Sequence, residues 1–320
     1  MNLPQIDVGT GESPPAPASS DTRRAAFVKT NAAIALANRT AGYDPRLYGA
    51  TGDGASRTVQ AALGVTTRAA LAAYQVNGQT PYAWISGDLW KNHTNLDLSA
   101  AAAQGATVLS FASTAGVAVG NTVYGTAIPA GATVTALTAT SVTISAGLTA
   151  AKAANMTVSF QSPLTDAQVA ALQMDGLALQ SAIEAARAAG GGTVRGGRGV
   201  YLCSHTIILP EAREGTGAQV NLIGDGEFNT ALRAASDFGA GKYLLSCGDP
   251  AGAKGHLVGR YGFNWYEGLC QDFRLEGPNR DVPAAGATPC QMSGIAHGSR
   301  RIWSRVRSWY FRDAIGVVGD

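Results

Sequence analysis

The chain has 320 residues, of which 40 are glycine and only 14% carry charge, with a formal net charge of +2. Near-neutrality speaks against a nucleic-acid binder, whose footprint is a strong basic excess. No run approaches the ~18–20 apolar residues of a membrane helix. Low charge with abundant Gly, Thr, Val and Ser favours β structure broken by frequent turns. Met1–Gly11 lacks the basic and apolar regions of a secretory signal, so a soluble protein made in the cytosol is expected. The cysteines Cys203, Cys247, Cys270 and Cys290 contain no C-x-x-C pair and read as buried core thiols. The histidines His93, His205, His256 and His297 are equally dispersed, so neither a metal site nor a cofactor is expected.

Residues 1–20 read as an extended arm, because Ser13-Pro14-Pro15-Ala16-Pro17 cannot hold a regular element. Asp21 is a good N-cap, and Ala25 to Arg39 contains no Pro or Gly, which predicts a helix. Its alanine-rich surface needs a partner to be stable. The run Tyr48-Gly49-Ala50-Thr51-Gly52-Asp53-Gly54 is dense in turn residues. A helix is expected over Arg57–Gln75, whereas Gly78–Asn95, with Trp84 and Trp90, resists assignment.

From Gly105 to Phe160 the pattern alternates with period two. The segments are Ala106–Phe111, Thr122–Tyr124, Thr133–Leu137, Ser141–Ile144 and Met156–Phe160, separated by Gly- and Pro-containing turns. Short strands at ~8–12-residue spacing predict a small antiparallel sandwich or barrel. Thr165–Ala189 then reads as one helix, stopped by Gly190-Gly191-Gly192. Beyond it, short strands are expected at Thr193-Val194, Gly199–Leu202, Thr206–Leu209, Val220–Gly224, Asp272–Glu276, Ile302–Phe311 and Ala314–Val318. Their gaps of ~20–30 residues match one turn of a β-solenoid, in which each coil bonds only to its neighbours.

Three stretches carry a resemblance to known phage families. Residues 1–39, with a Leu-Pro-x-x-Asp-x-Gly-Thr-Gly arm followed by Asp21-Thr22-Arg23-Arg24-Ala25-Ala26-Phe27-Val28-Lys29-Thr30-Asn31, resemble the N-terminal segment of many tail fibres. In that family the segment anchors a trimeric fibre to the baseplate or another virion component. The resemblance implies docking through Asp7, Gly9, Gly11, Asp21, Arg23, Arg24, Phe27 and Asn31. The Tyr48–Gly54 turn, the Asp175–Ile183 stretch, Gly190 to Val194, Gly199-Val200-Tyr201 and Ile223-Gly224-Asp225-Gly226 resemble the pectate-lyase-like right-handed parallel β-helices, which include many tailspikes. In that family the turn and the helix are nearly contiguous, whereas here ~120 residues intervene, and an insertion accounts for them. The inserted Gly105–Phe160 module is similar to small Val/Thr/Gly-rich domains of phage structural proteins.

The expected organisation is therefore mainly β. Residues 1–40 form a virion-attachment arm and helix, and 41–104 the start of the β-helix domain with a helical linker region. Residues 105–160 form the inserted small antiparallel β-sandwich module, and 161–320 a capping helix and a right-handed parallel β-helix that continues beyond the given chain. A trimer follows from the resemblance alone.

Candidate chemistry is sparse. Asp53-Gly54 and Gly224-Asp225-Gly226 read as turns rather than phosphate or metal sites. Glycosidases need two carboxylates ~5–10 Å apart. Glu267, Asp272, Glu276 and Asp281 do cluster, but Arg260, Arg274 and Arg280 are interleaved. As a strand, Asp272, Arg274 and Glu276 share a face ~7 Å apart, which reads as a compensated solvent face. In Arg300–Phe311, strict alternation puts Arg301, Trp303, Arg305, Arg307 and Trp309 on one face. That face suits either packing against neighbouring subunits or binding of an acidic glycan by charge pairing and ring stacking. No catalytic constellation emerges.

The first reading is a structural virion component, assembled in the bacterial host cytoplasm. It docks by its N-terminus on the baseplate or another virion protein, pairs with itself as a homotrimer, and projects a stalk toward host surface glycan, with no nucleic acid, membrane insertion or cofactor. The alternative is a tailspike depolymerase cleaving capsular or lipopolysaccharide glycan, with catalytic groups in Glu267–Asp281 or beyond residue 320.

Overall fold

The computed structural model describes residues 42–76, 78–86, 90–209, 219–236, 238, 243–247, 268–278, 293–297, 301–309 and 316–317. The description is of the backbone alone at 247, 268, 293–297, 301–303 and 316–317. The N-terminal arm, the helix expected over Ala25–Arg39 and the docking residues Asp7 to Asn31 lie outside the described residues. So do Arg260, Glu267, Arg280, Asp281, His256 and Cys290.

What is described is mainly β with a few short helices. Asp44 caps a 3-10 turn at Pro45–Tyr48 by accepting Arg46 N–H at 2.9 Å. On either side of that turn, Tyr43 bridges Val194 and Asp53 bridges Val200, both in parallel. The turn-rich run is thus the lowest described pass of a parallel stack. The helix expected over Arg57–Gln75 is instead two: α1 at Val59–Leu63 and α2 at Arg68–Ala72. Gly64 closes the first in a left-handed conformation, and Thr67 caps the second through Ala70 N–H. A left-handed cap and a new N-cap within four residues cannot lie inside one helix.

The next unit is antiparallel. Its strands are β1 (Lys91–Asp97), β2 (Val108–Ser110), β3 (Thr122–Tyr124), β4 (Val134–Leu137), β5 (Ser141–Ile144) and β6 (Thr157–Pro163). They form two sheets, ordered β1-β6-β3 and β2-β5-β4. Inward residues alternate along the strands, and Leu98, Leu109, Phe111, Val123, Val142, Ile144, Val158 and Phe160 fill a core separate from that of the rest of the chain. Strand β1, which period-two reading left unassigned, pairs with β6 along its whole length, from Lys91↔Pro163 to Asp97↔Thr157. Its polar sequence KNHTNLD hides it, because Leu96 is its one apolar residue and packs on that core.

The helix expected over Thr165–Ala189 is also two: α3 (Asp166–Ala170), opened by a capping box of Thr165 and Gln168, and α4 (Met174–Ala188). The break at Leu172-Gln173 is tertiary in origin. Leu172 O accepts Val59 N–H, Met174 N–H donates to Arg57 O, and Gln173 is held extended between them. Nearly every residue of α4 from Met174 to Ala186 is buried. The helix covers the first described coil of the stack and satisfies backbone groups that no described strand reaches. Buried Asp175 accepts N–H groups from Thr51 (2.7 Å), Gly52 (3.3 Å) and Leu202 (3.3 Å). Gln180 donates to Ile208 O and accepts Ile208 N–H, both at 2.9 Å. An unpaired strand edge is a template for aggregation, and these two side chains occupy it. Gly190, at φ +82°, stops α4 in a conformation that an L side chain rarely adopts.

The parallel stack follows as successive coils. Coil one is β7 (Gly192–Arg195), β8 (Gly199–Cys203) and β9 (Ile207–Leu209); coil two is β10 (Val220–Ile223), β11 (Thr230–Ala234) and β12 (Tyr243–Cys247). Coil three is β13 (Gly268–Glu276) and β14 (Ser293–His297); coil four is β15 (Arg301–Trp309) and β16 (Gly316–Val317). All pairings among them are parallel. Val194 stacks on Leu222, Leu222 on Cys270 and Cys270 on Trp303, steps of 28, 48 and 33 residues. The second and third steps exceed the ~20–30 residues expected of a solenoid turn, the second by far. This curled parallel sheet is consistent with a β-helix. Its interior holds Tyr201, Leu222, Leu232, Leu245, Phe273 and Leu275 together with Leu177 and Ile183 of α4. Cys203 and Cys270 are buried there as well.

Strands β11, β12 and β14 carry no period-two signal. TALRA and, within YLLSC, Leu244–Ser246 are buried on both faces, as strands of parallel sheets usually are, so they read as apolar runs rather than alternations.

Candidate functional site

The corner of the first sheet differs from coil to coil, and that difference makes a ledge. In coil two, the six residues Gly224–Asn229 separate β10 from β11. In coil three, β13 pairs with both strands and crosses the same corner with Asp272 alone. In coil four, Arg305 takes the equivalent step between Ser304, paired with Gln271, and Val306, paired with Phe273. Asp272 and Arg305 both adopt left-handed backbone conformations, φ +61° and +48°. Two stacked non-glycine residues in that region cost energy, and such outliers are retained where surrounding structure holds them. Gly224 allows the approach: a Cβ there would lie 2.1 Å from Asp272 O.

The loop of coil two projects beneath the corner and carries Glu227 and Phe228. Arg274 donates from Nη1 to the carbonyl oxygens of Glu227 (3.3 Å) and Phe228 (2.7 Å). Arg307 pairs with Glu227 at 2.9 Å and lies over the Phe228 ring, 5.0 Å from its centroid. Arg305 grips Asp272 with two N–H groups, Nε to Oδ1 and Nη2 to Oδ2. Glu276 is clamped between Arg233 and Arg274, each at 2.5 Å, and Arg274 also faces the Trp309 ring at 5.6 Å. In the ladder, Arg233 lies below Glu276 and Glu276 below Trp309, while Arg274 and Arg307 are direct neighbours. Glu276 supplies the counter-charge for Arg233 and Arg274, and Glu227 that for Arg307.

Two expectations change. Glu276 does not lie on a solvent face, since it is 2% exposed. The left-handed step at Asp272 breaks the alternation, so that Cys270 and Phe273, three apart, are both buried. The same break at Arg305 divides the anticipated Arg/Trp face of β15. The register places Trp303 above buried Cys270, while Arg305 stands above Asp272, and Arg307 and Trp309 above Arg274 and Glu276. Arg301 and Trp303 are described by backbone only. Sequence reading missed Glu227, Phe228 and Arg233. The one available signal was a phenylalanine inside the Gly-Asp-Gly-Glu-Phe-Asn turn run, where an apolar ring has no core to enter.

The electrostatics are those of paired ions. The hydrogen bond from Arg305 holds the Asp272 carboxyl below its ordinary range. Burial draws the Glu276 carboxyl upward, but hydrogen bonds from Arg274 and Arg233 outweigh it, and the net direction is down. A general acid needs the opposite shift, toward holding its proton at neutral pH. The ledge can therefore position donors, acceptors and rings, while these two carboxylates are poorly tuned to donate protons. Elsewhere, His205 is stacked on Trp90 at 5.0 Å and burial lowers its pKa to about 4; Trp90 meets Trp84 edge-on. This cluster packs the segment left unassigned by sequence against coil one. Among the described residues, no group of three His, Cys, Asp or Glu side chains is placed to hold a metal ion. No described helix is long and apolar enough to cross a membrane.

No protein-family model matches the chain, and no curated relative matches it. Among solved structures, it is similar to the tailspike protein gp49 from Pseudomonas phage LKA1 at 12% identity and a TM-score of 0.23, over 82% of this chain and 59% of that one. It is similar to the Pseudomonas phage phi297 tailspike gp61 at 10% identity and a TM-score of 0.20, over 80% and 51%. A third likeness is to the catalytic domain of a GH87 alpha-1,3-glucanase in complex with nigerose, at 13% identity and a TM-score of 0.20, over 69% and 48%. The chain thus spans about half the length of these structures. At such scores the fold rests on the strand registers above rather than on the likeness.

Proposed function

We propose that this chain is an adhesive component of a phage or phage-derived particle, a tail fibre or tailspike whose parallel stack holds a glycan-binding ledge against the host surface. The observation that carries the reading is the ledge itself. A side corner of the stack presents Phe228, Arg305, Arg307 and Trp309 on a backbone fixed by ion pairs, which is what a preorganised polar binding site requires. The tail-fibre resemblance of residues 1–39 supports docking of the N-terminus on a baseplate or another virion protein. The β-helix resemblance supports a right-handed coil, a homotrimer and a place in the virion.

Purified protein applied to host cells, or to their extracted surface polysaccharide, is expected to bind. Replacing Arg305, Arg307 and Trp309 together with alanine is expected to abolish retention. Equal retention by the triple variant would remove the ledge from the reading. Release of reducing ends or unsaturated uronates, lost in Asp272→Asn or Glu276→Gln, would replace adhesion with depolymerisation. Deletion of residues 1–39 is expected to leave a folded protein absent from purified particles, and normal incorporation would refute the docking assignment.

A further inference from the structure

Phe228 is large, apolar and 64% exposed, yet its loop is tied on several sides. Arg274 holds the carbonyl groups of residues 227 and 228, Gly226 N–H donates to Asp272 O at 3.0 Å, and Asn229 Nδ2 closes the loop on Asp225 O at 3.0 Å. Arg307 covers one face of the ring. Ordering a surface loop costs conformational entropy. A rigid aromatic turned to solvent is the form that low-entropy binding anchors take.

The charges around the ring decide what it binds. Among the described ion pairs, Arg233, Arg274, Arg305 and Arg307 face Glu227, Asp272 and Glu276, four positive groups against three negative, a net of one. An anionic ligand would have to displace carboxylates already seated on the guanidinium groups and leave them unpaired. Paired guanidinium and carboxylate groups instead offer fixed donors and acceptors side by side. Hydroxyl groups, which donate and accept at once, match that arrangement. A pyranose ring combines a face of C–H groups, suited to an aromatic surface, with a rim of hydroxyls. We infer that the open face of Phe228 is the stacking platform for a sugar of a neutral or weakly charged glycan, with Arg307 backing the other face of the ring and the outer edge of Arg305, 60% exposed, directing its hydroxyls. This inference rests on the adhesion reading above and names its ligand class.

The test applies the full chain to immobilised bacterial O-antigen and capsular polysaccharides, sorted into those without charged sugars and those bearing uronate or phosphate. Binding is expected on members of the uncharged group, and to change less than about threefold as ionic strength rises to physiological levels, because few net charges are involved. Phe228→Ala, at an exposed position, is expected to keep the melting temperature and to weaken binding by about tenfold or more, the loss of a single aromatic anchor. Phe228→Trp retains binding. Preference for the charged group with steep salt dependence, or full binding by Phe228→Ala, overturns this inference and leaves adhesion standing. Absence of binding to every polysaccharide overturns both.

Discussion

The antiparallel unit of β1–β6 and the parallel stack of β7–β16 meet the same demand, burial of a β core, by different means. The antiparallel unit satisfies its backbone largely through pairings within its own strands, and its buried residues are mostly apolar, with Thr114, Asn121, Ser159 and Gln161 as uncharged exceptions. Lys152 is its one buried ion, donating to Thr126 O at 3.2 Å. The stack cannot close on itself. It borrows Asp175 and Gln180 from a helix to satisfy the strands of its first described coil, and it ties successive coils together with Arg233, Glu276 and Arg274. Parallel coils stack residues in register, so a charge buried between coils needs an opposite charge within reach, as Glu276 provides for Arg233 and Arg274. An antiparallel unit with few charges avoids the problem.

The comparison predicts that the two regions fail separately. Phe160→Ala removes a ring packed edge-on to Phe111 at 5.6 Å and is expected to cost about 3–5 kcal/mol. Hydrogen exchange should show lost protection within residues 91–163 and none across β7–β15; loss in both would join them into one cooperative unit.

Glu276→Gln leaves Arg233 and Arg274 without their shared counter-charge. The expected loss is about 3 kcal/mol, read as a lower melting transition for the stack with that of the antiparallel unit unmoved. An unchanged stack transition would show that the cross-coil ion pairs contribute little.

Acid sharpens the contrast through His205. Its folded pKa of about 4 lies below the 6.5 of an ordinary histidine, so the unfolded chain binds more protons between those values. Stability is therefore full above about pH 6.5 and falls as pH drops toward 4, by about 2 kcal/mol at pH 5. Urea titrations at pH 7 and pH 5 should show the loss in the stack, and His205→Phe should flatten it.

The smallest effect is expected in the antiparallel unit. Burial lowers the Lys152 pKa, the mark of a charge held away from water with one carbonyl as partner. Lys152→Met is expected to change stability by less than about 1 kcal/mol, in the favourable direction. A loss above that figure would assign the amine a structural partner of real weight.

The order of elements, the antiparallel strands within Gly105–Phe160 and most strands of the stack were legible in the sequence, because period-two alternation and glycine stops are local signals. So was helix ahead of the Gly190 stop, though the pattern over Thr165–Ala189 reads as one element where the structure has two. Three things were decided only in the tertiary structure. The break at Leu172-Gln173 exists because distant residues 57–59 pair there. The polar strand β1 exists because β6 supplies its partner. The ledge exists because Asp272 and Arg305 leave the extended conformation where β13 bridges two strands of the coil below. Local pattern fixes which residues prefer strand or turn, but a left-handed step inside an otherwise regular strand depends on the coil it stacks upon. That step moved Glu276 from the surface into a buried clamp and set Phe228 out beside it.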